Sequence, residues 1–282
     1  MVVNSLKEML ISAKKGNYAV GAFNIFNYSS AKAAIMAAEE LKSPIILQTS
    51  VGTVQAIGTI EIISMLKILR QEATVQVVIH LDHCKDILIA KQCIDAGWDS
   101  IMIDASDKPI NENIRITSEV KRYAEKQNVC VEGELGIIKG VEEEISFDNE
   151  ILANFEESIE YLNNTGIDAF APAIGTAHGL YKKKVVLNFD LVKKLSEASE
   201  CPVVIHGGTG LSEEDFHHLI KNGGTKVNIS TAIKHAYFDA FNEYLKTDYG
   251  NPNPLKLDKY VEAYIKEVVK KHITIFNSVN RI

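Results

Sequence analysis

The stretch VQVVIHLDH, at residues 75–83, decides the fold of this chain. It begins as a run of apolar and β-branched residues, which is typical of a strand buried on both faces. It then ends in Asp82 and His83, two polar groups that are costly to bury without partners. At the mouth of a barrel these side chains would face a ligand. The simpler structural interpretation is that they only cap the end of the strand.

The same event recurs along the chain, because eight short apolar runs are each followed by a helical pattern. The runs cover residues 20–25, 44–49, 75–82, 99–104, 129–135, 168–175, 202–207 and 226–230. Eight strands that alternate with helices predict an α/β protein of the (β/α)8 TIM-barrel class. The alternative is a doubly wound open sheet. Such a sheet usually has a glycine-rich turn after its first strand, and none follows residues 20–25.

The predicted helices carry start and stop signals. Ser29 and Ser30 are candidate caps of the helix after the first strand, Ser212 begins a capping box, and Gly97 ends the helix after the third strand. Two further helices, at about 232–246 and 257–273, close the chain. We therefore expect one TIM-barrel domain over 1–282. Its helical tail, from about 250 to 282, should dock on the barrel or on a neighbouring subunit.

Composition restricts the partners and the compartment. The net charge of −7 argues against a nucleic-acid partner. No apolar run reaches about 18 residues, so we expect no membrane span. We see no signal peptide, and the four cysteines form no Cys-x-x-Cys pair. They are therefore interpreted as reduced thiols of a cytoplasmic protein.

Polar residues gather at the C-terminal ends of the predicted strands, where barrels of this class carry their active sites. Three of them, His83, His178 and His206, are imidazoles from three different strands. Three protein ligands with one open position are typical of a catalytic zinc site. The others are Asn24, Asp82, Asp104, Glu132, Glu134 and Asn228. His80 should lie within its strand, where it either packs or orients a ligand.

Two glycine-containing turns follow the last two strands, HGGTG at 206–210 and NIST at 228–231. Loops in this position commonly bind phosphate through backbone N–H groups and hydroxyls. Gly179 is a further candidate for the same role. The alternative is that these are tight turns that merely require glycine. Their joint placement favours a phosphate site.

Six motifs in this order carry a family resemblance: HLDH (80–83), MIDAS (102–106), VEGELG (131–136), AIGTAHG (173–179), HGGTG (206–210) and KVNIS (226–230). Over essentially its whole length the chain resembles the class II, metal-dependent ketose-bisphosphate aldolases. Its closest similarity is to the branch of tagatose-bisphosphate and short fructose-bisphosphate aldolases. The resemblance implies a glycolytic activity, the reversible cleavage of fructose or tagatose 1,6-bisphosphate to dihydroxyacetone phosphate and glyceraldehyde 3-phosphate.

The resemblance also implies roles for individual residues. Asp82 would transfer the proton at the C4 oxygen, and Glu142 would exchange the proton on the ketone-side carbon. The metal ligands would be His83, His178 and His206 for zinc, with Asp104 and Glu134 for a second divalent metal or another zinc position. The substrate-binding residues would be Asn24, Gly179, Gly207, Gly208, Thr209, Asn228, Ile229, Ser230 and Thr231. A monovalent cation is a further possible cofactor.

The chemistry agrees with these roles. Cleavage of a C–C bond beside a carbonyl leaves an enediolate, whose charge a zinc ion can neutralise. A carboxylate beside a metal ligand, such as Asp82, is well placed to take the hydroxyl proton. The acidic loop after the fifth strand, which contains glycines, can close over the substrate and exclude water.

Several alternatives remain open at this point. A class I aldolase needs a lysine inside the barrel. Lys226 opens the eighth strand and should lie at the opposite end, and 182–184 form a solvated charge run. A metal-dependent hydrolase is disfavoured because Asn24 is a poor zinc ligand. The chain is otherwise an aldolase for another ketose phosphate, or a metal-binding accessory subunit without activity. An active enzyme is expected to form a homodimer or homotetramer, with an accessory subunit as a further possible partner.

Overall fold

The computed structural model describes residues 5–142, 145–147, 151–179, 186–248, 250 and 252–282, and within these ranges leaves out the side chains of 139–142, 145–147, 178 and 248. Eight parallel strands close into a barrel, which confirms the predicted class. In order around the barrel they are β1 (Val20–Asn24), β11 (Gly224–Ile229), β10 (Val203–Ile205), β8 (Ala169–Pro172), β5 (Cys130–Leu135), β4 (Ser100–Ile103), β3 (Val77–Cys84) and β2 (Ile45–Ser50).

Helices follow the strands and cover the barrel. The described helices are α1 (Leu6–Gly16), α2 (Tyr28–Leu41), α3 (Val51–Ile57), α4 (Thr59–Glu72), α5 (Ile87–Ala96), α6 (Ile110–Glu125), α7 (Phe155–Thr165), α8 (Phe189–Ala198), α9 (Glu213–Lys221), α10 (Thr231–Asp248) and α11 (Pro254–Ile275). No single described helix has the length and apolar composition to cross a membrane, and only the bent pair α3–α4, taken together, passes that test.

The start of the chain closes the bottom of the barrel. Leu6, Met9 and Leu10 of α1 are buried in one apolar cluster with residues from the N-terminal halves of the strands, such as Val20 and Val78. Because strand side chains alternate between the two faces, the inward positions two and four residues further along rise toward the opposite end. The N-terminal end of the barrel is therefore a packed hydrophobic base, and polar side chains accumulate above it.

The end of the chain packs on the outside of the same barrel. Val261, Ile265 and Val269 of α11 are buried, and α11 lies against α2, α10 and β1. The tail therefore docks on its own barrel, which was one of the two predicted arrangements.

Some local predictions were confirmed and others were wrong. Ser212 forms the predicted capping box of α9, and Gly97 ends α5 in the left-handed region. The cap of α2, however, is Asn27, whose side chain accepts from the backbone N–H of Ser30. Ser29 and Ser30 lie inside that helix, since Asn27 already satisfies its first free N–H groups.

Two further elements were not predicted. A short helix, α3, follows β2 directly, because Ser50 caps it. The acidic segment after β5 was interpreted as a loop, but it contains β6 (Lys139–Glu142) and β7 (Ile145–Phe147), which pair with β9 (Ala177–His178) in a three-stranded sheet. Strands this short carry too few residues for a clear period-two pattern.

The buried base of the barrel generates a stability prediction. Replacing the fully buried Leu10 with Ala should lower the free energy of unfolding by about 2–5 kcal/mol, because it leaves a cavity between α1 and the strands. Urea denaturation measures this change. The control is Leu255→Ala on α11, a side chain that is 74% exposed, for which we expect a change within about 0.5 kcal/mol. Equal effects of the two substitutions would contradict the packing role of α1.

Candidate active site

The mouth of the barrel brings together side chains from the ends of different strands. Asp82 and His83 come from β3 and His206 follows β10, yet one ligand atom from each lies within 4.8 Å of the others. The rings of His83 and His206 meet edge to face, with centroids 4.6 Å apart. All three side chains are buried. The predicted convergence of imidazoles and carboxylate at this end is therefore present for these three residues.

An irregularity in β3 allows two adjacent residues to face the same site. In a regular strand, Asp82 and His83 would point to opposite faces. The register between β3 and β4 shifts between Leu81 and Cys84, and His83 has a φ of 44°, in the left-handed region. Such bulges re-aim side chains and are common beside active sites. The irregularity therefore turns the imidazole of His83 into the mouth next to the carboxylate of Asp82.

Two amide groups fix the carboxylate of Asp82. Asn24 Nδ2 donates to one oxygen at 2.9 Å, and Asn228 Nδ2 donates to the other at 3.0 Å. Gln48 Nε2 in turn donates to Asn24 Oδ1 at 2.9 Å. These four residues come from β1, β2, β3 and β11 and are all buried. Asn24 therefore orients a site carboxylate.

Asp104 and Glu134 flank the two histidines. Asp104 Oδ2 lies 3.2 Å from His83 Nδ1, and its Oδ1 accepts from the N–H and the hydroxyl of Ser106. Glu134 Oε2 lies 3.1 Å from His206 Nδ1 and 4.0 Å from His83 Nδ1. Each of these predicted metal-site carboxylates is therefore in direct contact with a predicted histidine ligand.

Burial and charge act in opposite directions on these groups. Burial lowers the pKa of His83, but the neighbouring Asp82, Asp104 and Glu134 together raise that pKa well above its usual value. Burial raises the pKa of Asp104, but His83 and Ser106 bring that pKa below its usual range. The carboxylates therefore create a strongly negative environment, which favours a bound cation.

An ionic layer lies below the mouth and was placed wrongly by sequence reasoning. Lys226 was expected at the opposite end of the barrel, but it is fully buried inside it, with Nζ at 2.9 and 3.2 Å from the two carboxylate oxygens of Glu132. Glu132 Oε1 also lies 2.8 Å from His206 Nε2. The expectation failed because Lys226 is two residues before Asn228 and shares its inward face.

The same layer contains His80, which was expected within its strand. His80 Nδ1 lies 2.8 Å from the hydroxyl of Ser100, and Nε2 lies 3.7 Å from Glu132 Oε2. Burial lowers the pKa of His80 to about 3, aided by the charge of Lys226, so its ring is neutral near pH 7. It contacts Glu132 rather than His83. Period-two spacing was the signal that would have found this layer, because His80, Glu132 and Lys226 each precede a mouth residue by two positions.

The residues of the mouth fit a divalent metal ion. Four buried carboxylates, those of Asp82, Asp104, Glu132 and Glu134, face only one permanently charged cation, Lys226, among the described residues of this cluster. Buried negative charge of this kind requires compensation. Imidazole nitrogen and carboxylate oxygen are ligands that zinc accepts. The backbone of His178 pairs with that of Gly140, but the side chains of His178 and Glu142 lie outside the described residues.

A cleft beside this cluster corresponds to the predicted phosphate site. It has an empty volume of about 200 Å³, and its lining residues are Gly179, Gly207, Gly208, Thr209, Asn228, Ser230 and Thr231. Asn228 Oδ1 and Ser230 Oγ are buried and make no hydrogen bond within the described part of the chain, so both can bind a ligand. Ile229 differs from the other predicted residues, because its side chain lies in the hydrophobic core.

The closed parallel barrel and the histidine–carboxylate cluster at its mouth define a metal-dependent (β/α)8 enzyme. Residues 4–281 match the family of class-II fructose-bisphosphate aldolases. The chain belongs to this family and is an enzyme of the aldolase class, a lyase.

Individual relatives agree with this assignment. The chain is 42% identical to a fructose-bisphosphate aldolase from Geobacillus stearothermophilus over 260 residues, covering 91% of each chain. It is 38% identical to a fructose-bisphosphate aldolase from Staphylococcus epidermidis over 284 residues, covering 100% of this chain and 99% of the relative. Among solved structures it is similar to the YdjI aldolase from Escherichia coli K12. That comparison has a TM-score of 0.87 and 31% identity, and covers 98% of this chain and 97% of that one.

The cleft generates a prediction for Gly207, whose φ is +67°. A Cβ added there would lie 2.5 Å from the carbonyl oxygen of Ala177, so Gly207→Ala must push two mouth loops apart. Gly166 is a matched control, because its φ is +62° and an added Cβ would meet no atom within 4 Å. We expect Gly166→Ala to cost about 1–2 kcal/mol, from backbone strain alone, and Gly207→Ala to cost clearly more. Urea denaturation compares them, and equal costs would contradict the close approach of the loops.

Proposed function

We propose that this chain catalyses the reversible, zinc-dependent cleavage of fructose 1,6-bisphosphate to dihydroxyacetone phosphate and glyceraldehyde 3-phosphate. The observation that carries the proposal is the approach of Asp82, His83 and His206 within 4.8 Å of one another, beside a cleft lined by glycines and hydroxyls. The curated relatives named above as fructose-bisphosphate aldolases support this sugar. Tagatose 1,6-bisphosphate is the second sugar to be compared, because the two sugars differ only in the configuration of one hydroxyl.

The metal is held, in this proposal, by the imidazoles of His83, His178 and His206. Asp104 and Glu134 provide a second divalent position or an alternative set of oxygens, since each lies beside one of these rings. A bound zinc ion supplies positive charge where negative charge develops on the ketone-side oxygens. The protein contributes the fixed positions of its ligands and a buried environment that strengthens this effect.

Asp82 acts as the proton acceptor from the C4 hydroxyl and returns that proton in the condensation direction. Its carboxylate lies beside His83 and is fixed on both sides by Asn24 and Asn228, so little reorganisation is needed during proton transfer. Glu142 is proposed to exchange the proton on the ketone-side carbon, by the family resemblance alone.

The phosphate of the ketone half binds in the glycine-lined cleft. Backbone N–H groups of glycine turns and hydroxyl groups such as those of Thr209, Ser230 and Thr231 suit phosphate oxygens. Asn228 connects the two parts of the site, because it lines the cleft and donates to Asp82. Binding of this half of the substrate would therefore be coupled to the position of the proton acceptor.

The remaining parts of the proposal concern organisation. Residues 1–282 act as one aldolase domain in the cytoplasm, a compartment that suits four free cysteines. The enzyme forms a homodimer or homotetramer, for which the exposed Phe238 and Leu255 on the last two helices provide apolar contact area. Analytical ultracentrifugation of the purified chain measures this state directly.

Metal removal tests the zinc assignment. Cleavage of fructose 1,6-bisphosphate, followed by coupled assay, should disappear after dialysis against a chelator and return when zinc is added. Tagatose 1,6-bisphosphate is assayed in parallel, and the sugar with the higher kcat/KM is the substrate. Activity that survives complete removal of metal would sink the zinc mechanism. Zinc binding without cleavage of either sugar would indicate another ketose phosphate or a missing subunit.

Substitution of Asp82 tests its proposed role. Asp82→Asn keeps the shape of the side chain but removes its basicity, so kcat should fall by about 10²–10⁴-fold while the zinc content stays unchanged. The matched control is Asp107→Asn, which removes a rim carboxylate that only pairs with Lys85 and Lys108 and should leave kcat close to that of the parent. Loss of zinc from Asp82→Asn would instead make Asp82 a ligand, and full turnover would exclude it from proton transfer.

A further inference from the structure

The interior of the barrel contains an ionic layer that substrate cleavage does not use directly. Lys226, Glu132 and His80 are each fully buried, with no exposed surface. Barrel interiors of this class are usually filled by bulky branched side chains. Two buried charges lose more hydration energy than an ordinary core, and replacing such a pair by apolar residues is often neutral or stabilising. Stability alone therefore does not account for this pair.

The hydrogen bonds of the layer lead to one residue of the mouth. Lys226 Nζ lies 2.9 Å from Glu132 Oε2 and 3.2 Å from Glu132 Oε1. Glu132 Oε1 in turn lies 2.8 Å from Nε2 of His206. The other ring nitrogen of His206, Nδ1, faces the mouth, 3.1 Å from Glu134 Oε2. Lys226 is therefore connected through Glu132 to the inner face of the His206 ring.

We propose that Lys226 and Glu132 form a positioning pair that holds the Nε2–H group of His206 and thereby presents Nδ1 to the metal. This inference rests on the proposed function, since it assumes that His206 is a metal ligand. Both residues are fully buried below the mouth, so they act through His206 and not on the substrate.

The physical argument concerns one hydrogen bond and one charge. A histidine ligand binds a metal through one nitrogen, while the hydrogen bond made by the other nitrogen fixes the ring orientation. Glu132 accepts that hydrogen bond from below. Its own charge would be unpaired in the apolar interior without Lys226, and an unpaired buried carboxylate would rearrange or take up a proton. Lys226 therefore keeps the acceptor in place, and loss of such partners typically weakens metal binding by about 10–100-fold.

Two double substitutions separate positioning from simple stability. Lys226→Met with Glu132→Met removes both charges and the acceptor for His206. Lys226→Met with Glu132→Gln also removes both charges but keeps an acceptor oxygen near the same place. The matched control is Lys121→Met, which breaks another buried lysine–carboxylate pair, Lys121 with Asp168 at 2.7 Å, away from the mouth. Near-UV circular dichroism and urea denaturation show which variants are folded.

Zinc affinity, measured by competition with a chelator, is the first readout. We expect the Met/Met variant to bind zinc about 10–100-fold more weakly than the parent, and the Met/Gln variant to recover most of that loss. Lys121→Met should bind zinc as the parent does, even if it is less stable. Parent-like affinity in the folded Met/Met variant, or a loss that follows stability across all three variants, would overturn the proposal.

Nitrogen-15 NMR of the histidine rings is the second readout and needs no metal. The Nε2–H signal of His206 should exchange slowly with water in the metal-free parent and in the Met/Gln variant, and rapidly in the Met/Met variant. Equal exchange in all of them would show that Glu132 does not hold the ring. If the parent bound no zinc, the proposed function would fail, and the NMR result would still decide whether this hydrogen bond exists.

Discussion

Burial of negative charge at the mouth of the barrel is the constraint on which the rest of the site depends. A carboxylate removed from water must find donors or cations, and each one here does so differently. Asp82 accepts from two amides, Glu132 pairs with Lys226, and Glu134 contacts His206. Because these partners come from different strands, only the closed barrel assembles them. The charge left over favours a divalent metal at the position that family membership implies.

The site is organised in layers that follow the period of the strands. An apolar base closed by α1 lies lowest, the ionic layer of Glu132 and Lys226 lies above it, and the histidines and Asp82 lie at the mouth. Only the upper layer is open to substrate. The middle layer accounts for a rigid arrangement of ligands, since a ring held from below has less freedom to turn. The bulge at His83 is the one local departure from this alternation that the mouth requires.

The sequence predicted most of the fold, because apolar runs and caps are local signals. The eight strands, the capping box at Ser212 and the glycine that ends α5 were all found in this way. The cap of α2 was misplaced, since several residues near its start can accept a hydrogen bond and the geometry selects Asn27. The small sheet after β5 was missed because its strands are too short to show a pattern. Lys226 was misplaced because its position in the strand was judged without the alternation of faces.

The sequence by itself determined the barrel, the family, and which chemical groups stand at the ends of its strands, because these follow from periodicity and from motifs in a fixed order. Only the tertiary structure decided which of these groups touch. It placed Asn24 and Asn228 on Asp82, and Lys226 beneath Glu132 and His206. The reason is that strand closure brings together residues far apart in the chain, such as Glu132 and Lys226. Their pairing depends on register and burial, which a linear pattern does not contain.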